Sequence, residues 1–252
     1  MDLGLLPLLW QDLARGMAPF LHRRSAGRLA VLLLGALFAK GRRTVTSWLR
    51  AAGVGAGYAA YSYCLAALGR RVDLLAGFLL QHALRRLAPD GPLLFALDDS
   101  PTQRYGPQVQ GAGVHHNPTP GPTDQRFLYG HVWVTLAWVA TRPLYGAIGL
   151  PLRALLYVRA KDVPRVPRRY RWAFRTKLEL AAALVSWAAG LVRFPGRAVR
   201  AAADGFYAKR PFLQAAAAAG VAVISRRRRD AGLRTAPVPP RGGRRRRGRP
   251  PV

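Results

Sequence analysis

A breaker cluster, Pro89-Asp90-Gly91-Pro92, separates two hydrophobic rhythms in the chain. Ahead of it, from residue 5 to about residue 88, apolar residues recur every three or four positions, the spacing of one face of an α-helix. Interruptions near Ser25, Gly41, residues 53–57 and Gly69 cut that stretch into several helices. Behind the cluster comes the short apolar run 93–97, ending in Asp98 and Asp99. A run this short, bounded by breakers, suits a strand. The chain is therefore expected to hold an all-helical N-terminal domain over residues 1–90 and a sheet-containing domain from residue 91.

Residues 100–124 are rich in Gly, Pro and His and read as one extended loop. Strand-like runs follow at 128–139 and 143–158, then a helix at 172–191, a short strand at 198–203 ending at Asp204, a helix at 209–219 and a strand at 221–225. Three strands, then helix, strand, helix, strand is the order of an RNase H-like fold. The expected class is α/β, with a mixed sheet flanked by helices over 91–225. Residues 226–252 carry 11 Arg and few apolar residues, and are expected to form a flexible tail.

With 252 residues, half of them hydrophobic, the chain is long enough to bury a full core. Its 40 Lys and Arg against 11 Asp and Glu give a net charge of +29, a self-repulsion that a polyanion would neutralise. Part of the excess is a compositional bias, since 36 of the 40 are Arg, but the acids are too scarce to mask it. Nucleic acid is the expected partner. The single Cys64 excludes an intramolecular disulfide and a cysteine zinc cluster, so stability must come from packing. The longest unbroken apolar run, 29–39, is shorter than the roughly 20 residues of a membrane span, and no signal-peptide pattern is present. No membrane partner is expected, and a cytoplasmic, nucleoid-associated location is.

Within the helical part, residues 28–40, a turn at Gly41 and a helix over 45–52 capped by Thr44 have the outline of a helix-turn-helix. Arg42, Arg43 and Arg50 would then meet phosphates. The same outline also suits helices that simply pack on one another. His115, His116 and His131 lack the spacing and the supporting Cys of a zinc site.

Asp98 and Asp204 each follow a short apolar run, where a central strand delivers a side chain to the carboxyl end of a sheet. Paired carboxylates suit hard divalent cations, and two-metal phosphodiester cleavage needs such ligands. An Asp at a strand end also commonly serves a turn or a helix cap. Asp98 is the first candidate and Asp99 the alternative first acid, because a one-residue change of register exchanges the face on which each lies.

The stretch Phe95-Ala96-Leu97-Asp98-Asp99-Ser100-Pro101-Thr102-Gln103-Arg104-Tyr105-Gly106-Pro107 resembles the first catalytic-strand motif of DDE-type transposases of bacterial insertion sequences, which are RNase H-like superfamily endonucleases. Ala203-Asp204-Gly205-Phe206-Tyr207-Ala208-Lys209-Arg210 is similar to the segment at that family's second aspartate. Ser225-Arg226-Arg227-Arg228-Arg229-Asp230-Ala231 resembles the stretch that follows it, and Phe174-Arg175-Thr176-Lys177-Leu178-Glu179-Leu180 also fits. The resemblance covers about residues 43–250. It implies that Asp98 and Asp204 bind Mg²⁺ or Mn²⁺, two ions in a complete site, for phosphodiester hydrolysis and strand transfer at transposon ends. A homodimer on DNA would fit that activity. Arg104, Lys209, Arg210, Arg226, Arg227, Arg228 and Arg229 would line the DNA path through salt-sensitive, sequence-blind phosphate contacts.

The family's third acid, usually a Glu on a helix beyond the second aspartate, has no counterpart here. Asp230 is the only acid after Asp204, and the sole Glu, Glu179, precedes it. Glu179 is expected to pair with Lys177 or Arg175 or to make a capping bond. Arg247-Gly248-Arg249-Pro250 resembles the family's Gly-Arg-Pro linker, beyond which a complete transposase continues toward its third carboxylate; the same residues match the core of a minor-groove AT-hook. The resemblance thus implies a shortened, inactive transposase, or alternatively a non-catalytic DNA-binding remnant of one.

Overall fold

The structure is a computed structural model that describes residues 7–42, 44–87, 91–117, 125–142, 144–192 and 197–226. Among them, five helices come first: α1 (Leu8–Met17), α2 (Arg23–Phe38), α3 (Val45–Ala51), α4 (Tyr58–Arg70) and α5 (Val72–Leu87). The first interruption falls earlier than Ser25, which lies inside α2. A 3-10 turn at Ala18–Phe20, carrying Pro19, ends the preceding helix, and the His22 side chain accepts the Arg24 N–H to start α2. Thr44 caps α3 as expected, its Oγ1 accepting the Ser47 N–H at 3.2 Å, a bond worth about 1 kcal/mol.

Helices α2, α3 and α4 enclose a small core of Val31, Leu32, Leu49, Ala52 and Cys64. Gly35 permits it, because a Cβ there would overlap the Trp48 carbonyl; α2 and α3 meet backbone to backbone. Burial pushes the Cys64 thiol up, so it serves as an inert filler. Helix α5 packs elsewhere: Leu80 and Leu84 join the core of the sheet. Asp73 at its start pairs with Arg153 of the sheet at 2.6 Å, and the Arg153 guanidinium lies over the Trp187 ring at 5.1 Å.

The sheet has six strands: β1 (Leu93–Gln103), β2 (Gly113–His116), β3 (Phe127–Arg142), β4 (Gly146–Tyr157), β5 (Val199–Ala203) and β6 (Val221–Ser225). Central β1 runs antiparallel to β3 and parallel to β5, and β6 runs parallel to β5. Both β2 and β4 pair antiparallel with β3. Helix α6 (Lys177–Leu191) crosses from β4 to β5 and α7 (Arg210–Ala218) from β5 to β6. This is the α/β, RNase H-like mixed sheet flanked by helices that the element order predicted. Leu93, Phe95 and Leu97 of β1, Val134, Leu136 and Trp138 of β3, and Leu180, Leu184 and Ala188 of α6 fill its core.

Three local expectations are corrected. Strand β1 does not stop at Leu97; it continues to Gln103, paired with β3 from Asp98↔Thr135 to Gln103↔Gly130. Gly130 makes that extension possible, since a Cβ there would overlap the Thr102 carbonyl. The stretch 100–124 is not all loop either. It holds β2, whose period-2 signal is hidden because a buried His115 occupies an inward position that an apolar residue would advertise. Helix α6 begins at Lys177, five residues later than expected. A capping box fixes this start: Thr176 Oγ1 accepts the Glu179 N–H at 3.2 Å while the Glu179 carboxylate accepts the Thr176 N–H at 2.6 Å.

Candidate active site

The parallel pairing of β1 with β5 ends at Leu97↔Ala203. Asp98 follows Leu97 within β1, and Asp204 follows Ala203 just past the end of β5, close enough for their charges to interact. Asp98 Oδ1 accepts the N–H of Asp99 at 2.8 Å, and Asp204 Oδ1 accepts the N–H of Phe206 at 3.0 Å. Ser225 Oγ donates to the Asp204 carbonyl at 2.8 Å, tying the end of β6 to the same turn. Burial pushes the Asp98 carboxyl above its ordinary value, and the charges of Asp99 and Asp204 push it further. The Asp99 N–H and the Lys177 ammonium pull the other way. The site thus gathers carboxylates around Asp98 in surroundings that make its charged form costly.

Asp99 lies on the opposite face of β1 and is fully engaged. Lys177 Nζ reaches its Oδ2 at 2.5 Å, and the Tyr207 hydroxyl donates to its Oδ1 at 3.1 Å. Tyr207 is buried, and burial together with the Asp99 charge drives its phenol well up, so it stays a protonated donor. Lys177 also sits 5.7 Å from the Tyr157 ring and 5.6 Å from the Phe206 ring, while Lys209 lies 4.6 Å over Phe206. Sequence reasoning gave no role to Tyr207 and offered Lys177 only as a partner for Glu179, whereas it pairs with Asp99; both lie inside the stretches that carry the resemblance.

The other expected site residues divide by location. Lys209 and Arg210 open α7 just after the Asp204 turn, and Arg226 follows β6 with its carbonyl beside Gly205. Arg104 stands beyond the far end of β1, its Nε donating to His131 Nδ1 at 3.2 Å. Arg43, Arg227, Arg228, Arg229 and Asp230 lie outside the described residues. Glu179 stands apart from the aspartates: its carboxylate accepts from Thr176 N and, at 2.9 Å, from Thr176 Oγ1, which lowers its pKa, and it is the capping bond expected of it.

Among the described residues no three His, Cys, Asp or Glu side chains converge as a ready-made metal-ligand set. Asp98 and Asp204 fit a sparser arrangement, two carboxylates whose mutual repulsion a divalent cation relieves. Mg²⁺ commonly takes only one or two carboxylates and completes its shell with water and phosphate oxygens.

The family model described as DDE superfamily endonuclease matches residues 16–252, and the chain belongs to that family. Members act on DNA and generally work with divalent metal ions. No match was found among curated proteins. No helix among the described residues is long and apolar enough to cross a membrane.

Proposed function

We propose that the chain is a DNA transposase whose Asp98 and Asp204 supply two of the three acids that hold Mg²⁺ or Mn²⁺ for phosphodiester hydrolysis and strand transfer at transposon ends, the third acid having no counterpart in the sequence. The observation that carries this reading is the Leu97↔Ala203 register, which leaves the two aspartates as neighbours where the parallel pairing of β1 with β5 ends. Bound there, a divalent cation would polarise a phosphate oxygen and offset the charge that builds up as the phosphodiester breaks. The chain's own residues do the rest. Lys209, Arg210 and Arg226 neutralise phosphates flanking the scissile bond, and Arg104 extends that contact along β1. Asp99, spoken for by Lys177 and Tyr207, fixes β1 against α6 and the Asp204 turn. In the hydrolytic step water adds to phosphorus, the bond from phosphorus to O3′ breaks, and a 3′-hydroxyl is left to attack target DNA in strand transfer.

In this reading residues 1–90 contact the transposon end, 91–225 form the catalytic core, 226–252 add basic charge, and two copies pair on DNA in the nucleoid. The test is nicking of supercoiled plasmid in Mg²⁺ or Mn²⁺ by the chain, Asp98→Ala and Asp204→Ala, with a gel shift on the same DNA. Cleavage abolished in both variants with binding retained supports the reading. Binding without cleavage by the unaltered chain makes it a non-catalytic DNA-binding protein, and absence of both rejects it.

A further inference from the structure

Between the sheet and α6 the chain crosses a segment, residues 168–175, with the sequence Arg-Arg-Tyr-Arg-Trp-Ala-Phe-Arg. Every residue in it is exposed. Three large rings stand in solvent within five positions: Tyr170 at 53%, Trp172 at 37% and Phe174 at 46% exposure. Single exposed rings are ordinary, but a row of them interleaved with four arginines marks a binding surface.

The segment is held ready. On its N-terminal side the buried Asp162 accepts Arg159 Nε at 2.5 Å and pairs with Arg165 at 3.7 Å. At its C-terminal side the Thr176–Glu179 capping box anchors it to α6. These two are the only acids between residues 143 and 203; Asp162 pairs with arginines outside the segment, and Glu179, though it feels the charge of Arg175, gives its hydrogen bonds to Thr176. Arg171 adopts φ 46°, a left-handed conformation that costs a non-glycine residue and turns the chain between Tyr170 and Trp172. The Arg169 guanidinium already lies 5.1 Å over the Tyr170 ring. Beside Tyr170 and Trp172 opens a slot of about 280 Å³, backed by Leu156 and Val158 and rimmed by Arg171 and Arg175.

We infer that residues 168–175 bind an unpaired DNA strand, whose bases stack on Tyr170, Trp172 and Phe174 and whose phosphates meet Arg168, Arg169, Arg171 and Arg175. The inference rests on DNA as the substrate but not on Asp98 and Asp204 as the cutting residues. Aromatic rings read exposed base faces, which a duplex hides in its stack, and arginine supplies both charge and a planar stacking partner. The slot beside Tyr170 and Trp172 gives an exposed base room to stack against their rings. Two residues past the segment, Lys177 contacts Asp99. A strand held here therefore leads to the neighbourhood of Asp98 and Asp204.

The experiment uses the full chain and a single-stranded oligonucleotide carrying 2-aminopurine, alone and annealed to its complement, with helicity checked by circular dichroism. Wild type should quench the 2-aminopurine of the single strand. Replacing Tyr170, Trp172 and Phe174 together by Ala should weaken single-strand binding at least about tenfold and abolish the quenching, while duplex binding stays at its wild-type level. Tyr170→Phe with Trp172→Phe should restore single-strand binding, and Tyr170→Ala and Phe174→Ala singly carry the test if the triple variant does not fold. Unchanged single-strand affinity in the folded aromatic variants overturns the inference. So does an equal loss on duplex. Asp98→Ala, which tests cleavage, should leave the quenching intact, so failure of the catalytic reading and failure of this one are separate results.

Discussion

Asp98 and Asp99 are neighbours in one strand, yet the two faces of β1 give them opposite environments. Asp99 faces α6 and the Asp204 turn, where an ammonium and a buried phenol saturate its carboxylate. Asp98 faces outward beside Asp204, accepting a single backbone N–H, with the like charges of Asp99 and Asp204 opposed only by the more weakly acting Lys177 ammonium. A carboxylate that is already satisfied holds the scaffold, whereas one left in repulsion has binding capacity to spend on a cation. The period-2 alternation of a strand is enough to divide these duties between adjacent identical residues.

The largest effect that could break this comparison is on cleavage. Asp98→Ala and Asp204→Ala should each lower metal-dependent plasmid nicking by several kcal/mol of barrier, on the order of a thousandfold. Asp99→Asn, which keeps the shape and the Tyr207 bond, should retain most of the activity. A folded Asp99→Asn as inactive as Asp98→Ala would reverse the roles of the two faces. On stability the order is reversed. Tyr207→Phe removes a buried hydrogen bond to a charged group and should cost about 1.5–3 kcal/mol in urea unfolding. Asp98→Ala should not destabilise the chain; a loss equal to that of Tyr207→Phe would show that Asp98 is structural too.

Most of the sheet was legible because its core strands are apolar runs between breakers, and the run 221–225 matches β6 residue for residue. The two aspartates could be paired as candidates because each ends such a run, but their proximity needed the Leu97↔Ala203 register, which no local pattern encodes. The elements that escaped were those whose inward residues are polar. In β2, His115 stands in a buried position, and the outer half of β1 is Asp-Asp-Ser-Pro-Thr-Gln, which owes its strand form to pairing with β3. The pairing of Lys177 and Tyr207 with Asp99 was missed for a related reason: Asp99 is 78 residues from one and 108 from the other.

A smaller effect sharpens the packed side. The capping box positions Lys177 as the first residue of α6, so Thr176→Ala should cost about 1 kcal/mol and loosen the ammonium from Asp99. Chemical denaturation of the Thr176→Ala and Lys177→Met variants, singly and together, checks this. Strictly additive losses would mean that the cap and the Lys177–Asp99 pair are independent.

The smallest effect concerns the outer part of the same packed side, where His115 sits 6.1 Å from the Tyr157 ring that also meets Lys177. Burial lowers its pKa, and the positive charges of Arg159 and Lys177 lower it further against the opposing pull of Asp162. In the folded chain the imidazole is therefore harder to protonate than in the unfolded chain, whose value is about 6.5. The unfolded state takes up the proton first as the medium is acidified. The stability that neutral His115 contributes is thus fully present above pH ~6.5 and is lost as pH falls through and below that value. His115→Gln carries no such proton, so its melting temperature should decline less than that of the wild type between about pH 7.5 and pH 5. If the wild type instead gains on the variant in acid, His115 is stabilised as the cation. Asp162, rather than Arg159 and Lys177, would then govern the surroundings of His115.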